Sequence, residues 1–175
     1  MKKMAIVEDE DDEDEEEVPI KVVKKPEAPS VPPASADVSV PESKVVADEK
    51  AAQAKERGTA ALKRGEYRRA AEAYHECCTL QPSNHAHFSN LSLALLKFGQ
   101  PEHAATAARR CTELEPSFGK GFFRLGQALK AKGEYSEAAT HLRMALKIAQ
   151  AGGGKEAGEI ARELAACRDL EAKAA

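Results

Sequence analysis

Gly65, Gly99 and Gly133 are spaced 34 residues apart, and their neighbours keep the same step. Ala60 leads to Ala94 and Ala128, Ala70 to Ala104 and Ala138, Ala71 to Ala105 and Ala139, and Leu80 to Leu114 and Ile148. Pro82 leads to Pro116 and Cys77 to Cys111. A period of this length, with alanines around a mid-repeat glycine, describes a helix–turn–helix unit that cannot bury its apolar face alone and stacks on copies of itself. The expected fold is all-α, a solenoid of helical hairpins with no strand. Such an array works through a concave surface, so the sequence points to a binding groove and away from an active site.

The repeats cover about 51–84, 85–118 and 119–152, with helices beginning near Val45. Each first helix should stop at its glycine, which tolerates the left-handed turn. Tyr67, Pro101 and Tyr135 then start the second helices, proline being suited to a first position where no N–H bond is lost. Ala60, Ala70, Ala94, Ala104, Ala128 and Ala138 allow paired helices to approach, while Tyr74, Leu91, Leu95, Leu125, Leu129 and Leu142 supply the larger core groups. Gly152-Gly153-Gly154 breaks the helix. A capping helix at about 155–172 follows, with Ala157, Ile160, Ala161, Leu164 and Cys167 on the face that covers the last repeat.

The chain divides into a tail, 1–43, and a repeat domain, 44–175. The tail carries 13 acidic and 5 basic residues, a net of −8; the remainder carries 16 and 21, a net of +5, which together give the overall −3. Glu8–Glu17 is an unbroken acidic run, followed by a proline-rich stretch to Pro41, so disorder is expected there. The run reads either as a solubilising tail or as an arm that binds a partner or the chain itself. A body of +5 suggests an anionic ligand but is too weak a field to indicate nucleic acid. No apolar run approaches the ~18 residues of a membrane span. The start of the chain lacks signal- or transit-peptide character. With cysteines that read as buried thiols, the expected location is the cytoplasm. The five histidines, with no ligand spacing, read as surface or boundary residues. No metal site, cofactor or nucleophile–base constellation is expected, hence no enzyme; oligomerisation is not encoded, and a monomer is the simplest expectation.

Side chains at positions 2, 5, 6 and 9 of each first helix should face the groove. Counting from residues 51, 85 and 119, these positions include Lys55, Thr59, Asn90, Lys120 and Arg124. Cations and an amide converging on one groove suit carboxylates, because charge-assisted hydrogen bonds are short and strong.

The period and its glycine–alanine pattern are similar to those of the tetratricopeptide repeat. Lys55-Glu56-Arg57-Gly58, Phe88-Ser89-Asn90-Leu91-Ser92 and Phe118-Gly119-Lys120-Gly121-Phe122-Phe123-Arg124 resemble segments of clamp-type tetratricopeptide domains in co-chaperones: the Hop-type organising proteins, the small glutamine-rich adaptors and the immunophilin co-chaperones. The resemblance implies a dicarboxylate clamp that grips the terminal aspartate of the Glu-Glu-Val-Asp tail of heat-shock protein 70 or 90. Lys55, Asn90, Lys120 and Arg124 match clamp positions, and Thr59 stands where that family has asparagine. Losing an amide donor to a charged group there would weaken binding by roughly 1.5–3 kcal/mol, less if water bridges. The expected function is thus a co-chaperone adaptor. The alternatives are a scaffold for a helix or an internal acidic segment, and an acidic-tailed chaperone for basic proteins such as histones.

Overall fold

The computed structural model describes residues 41–153 and 155–174. They form α1 (Pro41–Lys63), α2 (Tyr67–Leu80), α3 (His85–Lys97), α4 (Pro101–Leu114), α5 (Gly119–Lys132), α6 (Tyr135–Ala151) and α7 (Ala157–Ala174). No strand occurs among the described residues. The tail expected over 1–43 lies outside them except for its last three residues, which already belong to α1. That helix therefore opens at Pro41, earlier than Val45, with proline at the position where it sacrifices no hydrogen bond.

One device ends every first helix. Gly65, Gly99 and Gly133 have φ of 73°, 83° and 85°, a region that costs any residue with a Cβ. The next amide then reaches back to close the turn: Glu66 N–H donates to the Ala61 carbonyl, Gln100 to Leu95 and Glu134 to Leu129, each at 2.9 Å. These bonds satisfy carbonyls that the helix end would otherwise leave bare. A local signal of two residues, used three times, sets the reversal of the chain.

Helices pack in sequence order, α1 on α2 through to α6 on α7. In addition α3 packs directly on α5, and α5 touches α7, whereas α4 has no comparable contact with α2 or α6 among the described residues. The array therefore curves with α3, α5 and α7 on its inner side, and the repeat register assigns α1 to that side as well. Tight hairpins make this possible: a Cβ on Gly126 of α5 would stand 2.6 Å from Leu142 Cγ of α6. Ala70, Ala104 and Ala138 are fully buried at equivalent places, and Tyr74, Leu91, Leu95, Leu125, Leu129 and Leu142 fill the core between them.

The end of the array is covered by α7, which buries Ile160, Leu164 and Cys167. Ala161, expected on that face, is exposed, because α7 meets its neighbours along a narrow stripe spaced by four and three residues. A Lys130–Glu163 ion pair also joins α5 to α7. All four cysteines are buried free thiols. Burial pushes the Cys77 and Cys111 thiols up to about 11, so little reactive thiolate forms near neutral pH.

Candidate functional site

Repeat register puts the five candidate side chains on the three inner helices: Lys55 and Thr59 on α1, Asn90 on α3, and Lys120 and Arg124 on α5. Direct packing of α3 on α5 sets the Asn90 helix beside the one that carries Lys120 and Arg124. On the other side, the Lys55 ammonium is close enough to His87 of α3 to help lower that histidine's pKa.

The cations differ in their surroundings. Lys55 is exposed and Lys120 half-buried. Neither enters an ion pair among the described residues, whereas Arg57, Arg68, Arg69, Arg109, Arg110, Lys130 and Lys132 all do. Lys120 sits in the first turn of α5, whose N-cap residue Phe118 makes no side-chain capping bond. The positive end of a helix and a lysine together favour an incoming anion. Arg124 is only 7% exposed. Its Nη1 donates to Gln127 Oε1 at 2.9 Å, and its guanidinium carbon lies 5.6 Å from the centroid of the Phe123 ring. A cation withdrawn this far from water attracts a carboxylate more strongly than an exposed one, because the local dielectric is lower. Asn90 is half-buried, and its amide bonds to no described residue.

Thr59 behaves otherwise. Its hydroxyl donates to the Lys55 carbonyl at 3.0 Å and lies 3.0 Å from the Tyr74 hydroxyl. A hydroxyl has one proton, so in this arrangement Tyr74 is the donor to Thr59. The side chain ties α1 to α2 and keeps no donor for a ligand.

A polar network near Lys55 was not legible in the sequence. Gln81 Nε2 donates to Asp48 Oδ1 at 2.7 Å, which fixes the amide so that its oxygen accepts from His87 Nε2 at 2.6 Å. Asn84 caps α3 by accepting from Ala86 N–H at 3.1 Å, and its amide nitrogen reaches Gln81 Oε1 at 3.3 Å. The network joins α1, the α2–α3 turn and the start of the Asn90 helix. His87 is thus a buried structural histidine, only 5% exposed, and the expectation of a surface or boundary residue is corrected. Desolvation, then the Lys55 and His85 charges, lower its pKa. The only advance signal was a polar cluster, Gln81 to His87, at a turn that must position a helix.

Chemically α1, α3 and α5 carry two lysines, a buried guanidinium and an amide, residue types suited to holding carboxylates. Among the described residues no group of histidine, cysteine, aspartate and glutamate gathers to bind a metal, and no helix is long and apolar enough to cross a membrane. An open hollow of about 460 Å³ beside Gly133, Glu137 and Glu171 contains none of the five candidate residues.

Residues 120–151 match the tetratricopeptide repeat in sequence, and no curated protein matches the chain. The structure is similar to the TPR2B domain of yeast Sti1 in its pHsp70 complex, with 25% identity, a TM-score of 0.66, and coverage of 69% of this chain and 98% of that one. It is similar to the Sgt2 TPR domain from Aspergillus fumigatus, at 28% identity, TM-score 0.65, and coverage of 71% and 81%. The second TPR domain of human RPAP3, solved with the HSP70 peptide SGPTIEEVD, gives 27% identity, TM-score 0.63, and coverage of 70% and 98%. The described helices form a tetratricopeptide array, and the chain resembles the clamp-type domains of co-chaperones.

Proposed function

We propose that the chain is a co-chaperone adaptor, without catalytic activity, whose groove binds the acidic C-terminal tail of a heat-shock protein 70 or 90 chaperone. Lys55 and Lys120 hold carboxylates by charge, Arg124 adds directional donors, and Asn90 contributes its amide. The observation that supports this reading is that these groups lie on helices α1, α3 and α5, Asn90 and Arg124 one repeat apart, with both lysines outside any described ion pair. Structural neighbours solved with pHsp70, pHSP90 and SGPTIEEVD support it. Binding is expected to weaken as salt rises, since charges at an open groove are screened.

The test is a titration with a fluorescent peptide ending in Glu-Glu-Val-Asp, free and amidated at its C-terminus, against the natural chain and Lys120→Ala. Micromolar binding that requires both the free carboxylate and Lys120 is the expected result. Binding indifferent to amidation would favour a scaffold that reads internal acidic segments. That second reading draws on Thr59, whose hydroxyl is committed within the fold.

A further inference from the structure

We propose that the acidic segment Glu8–Val18 occupies the groove when no outside ligand does, so that the chain carries its own competitor. The inference rests on the groove reading above. It starts from charge: residues 1–43 have a net of −8 and residues 44–175 a net of +5. Connectivity directs the acidic segment toward the groove. It joins the body through α1, an inner helix, and that helix bears Lys55. Sequence adds a closer match, because Glu16-Glu17-Val18 repeats the first three residues of a Glu-Glu-Val-Asp ligand and then continues into Pro19.

The distances agree. From Pro41 to Lys55 the chain climbs α1 by about 21 Å at ~1.5 Å per residue. A flexible chain of the length of residues 19–40 has a typical span of about 26 Å. A span matched to its target gives an effective concentration in the millimolar range. The internal segment has no terminal carboxylate, so its own affinity is low. Held at that concentration it still occupies a large share of the grooves, and a ligand with a free C-terminus displaces it.

The experiment compares the natural full-length chain with a full-length variant in which Glu8–Glu17 is neutralised to glutamine and asparagine. Two readouts are taken: affinity for the free Glu-Glu-Val-Asp peptide, and amide NMR signals of Asn90 and Lys120 without peptide. The variant is expected to bind about 3–10-fold tighter at low salt, with the difference vanishing at high salt. The Asn90 and Lys120 signals should differ between the two chains at every protein concentration. Equal affinities with unchanged groove signals would overturn the proposal, as would differences that grow with protein concentration, which mean docking between copies. If neither chain binds peptide but the groove signals still differ, self-docking stands and the chaperone-tail reading falls.

Discussion

Thr59 allows the groove to be tested by substitutions of nearly identical size. Its hydroxyl donates to the Lys55 carbonyl and accepts from the buried Tyr74 hydroxyl. Thr59→Val keeps the shape and deletes that tie. It should cost about 1–3 kcal/mol of stability, the net worth of two hydrogen bonds, and lower the melting temperature by about 3–6 °C for each kcal/mol lost in a domain of this size. Peptide affinity should stay within about twofold, because the lost proton never pointed at the ligand. Thr59→Asn supplies an amide with donors to spare. A hydrogen bond to a carboxylate is worth ~1.5–3 kcal/mol, reduced by up to ~2 kcal/mol where it merely replaces a bridging water. A net gain of about 1–1.5 kcal/mol corresponds to roughly tenfold tighter binding. Calorimetric titration with the free Glu-Glu-Val-Asp peptide and thermal melts of the three proteins provide the measurements. A Thr59→Val chain that binds tenfold more weakly would show that the hydroxyl faces the ligand and is not committed to the α1–α2 tie.

Two further outcomes concern the fold. Gly126→Ala places a Cβ 2.6 Å and 2.8 Å from Leu142 Cγ and Cδ2, with the Ala138 carbonyl at 3.3 Å. Overpacking of ~1–3 kcal/mol should outweigh the ~0.8–1 kcal/mol of regained helix propensity, while Gly158→Ala in α7 meets nothing within 4 Å and should stabilise; urea unfolding that ranks them equally contradicts the close α5–α6 approach. Both His87, beside Lys55 and His85, and His141, beside Glu137 and Arg109, have pKa values lowered from 6.5 chiefly by burial. The unfolded chain therefore binds more protons, so stability should fall as pH drops through 6.5 and level off below the folded values; His87→Gln should flatten part of that slope, and a flat or reversed profile would refute the assignment.

The helical hairpins were legible because their signals are local and repeated. A glycine at each turn and Tyr67, Pro101 and Tyr135 as helix starts need no tertiary information, and α2, α4 and α6 begin at those residues. The identity of the large core side chains was equally readable from position within the period. What escaped depends on contacts between elements. His87 is buried in a network with Gln81 and Asn84 of the α2–α3 turn, which Asp48 of α1 extends through Gln81. Ala161 is exposed because the α7 stripe is narrower than its apolar face. At Thr59 the residue type could be read, but the partner of its hydroxyl could not, since Tyr74 lies on the opposing helix. Lys55, Asn90, Lys120 and Arg124 could be assigned to inner helices from the period alone, whereas the burial of Arg124 needed the packed array.

Alanine is the commonest residue in the buried core, and this gives the array a one-sided tolerance to change. A core of large side chains fails when substitutions hollow it out. Here most buried positions are already near the smallest side chain available, so there is little to excavate. Substitution at Ala70, Ala104 or Ala138 can only add atoms, short of glycine, and each added methylene must push two helix backbones apart. The same close packing that makes the interior intolerant leaves the exposed faces as the part where a substitution meets least steric resistance.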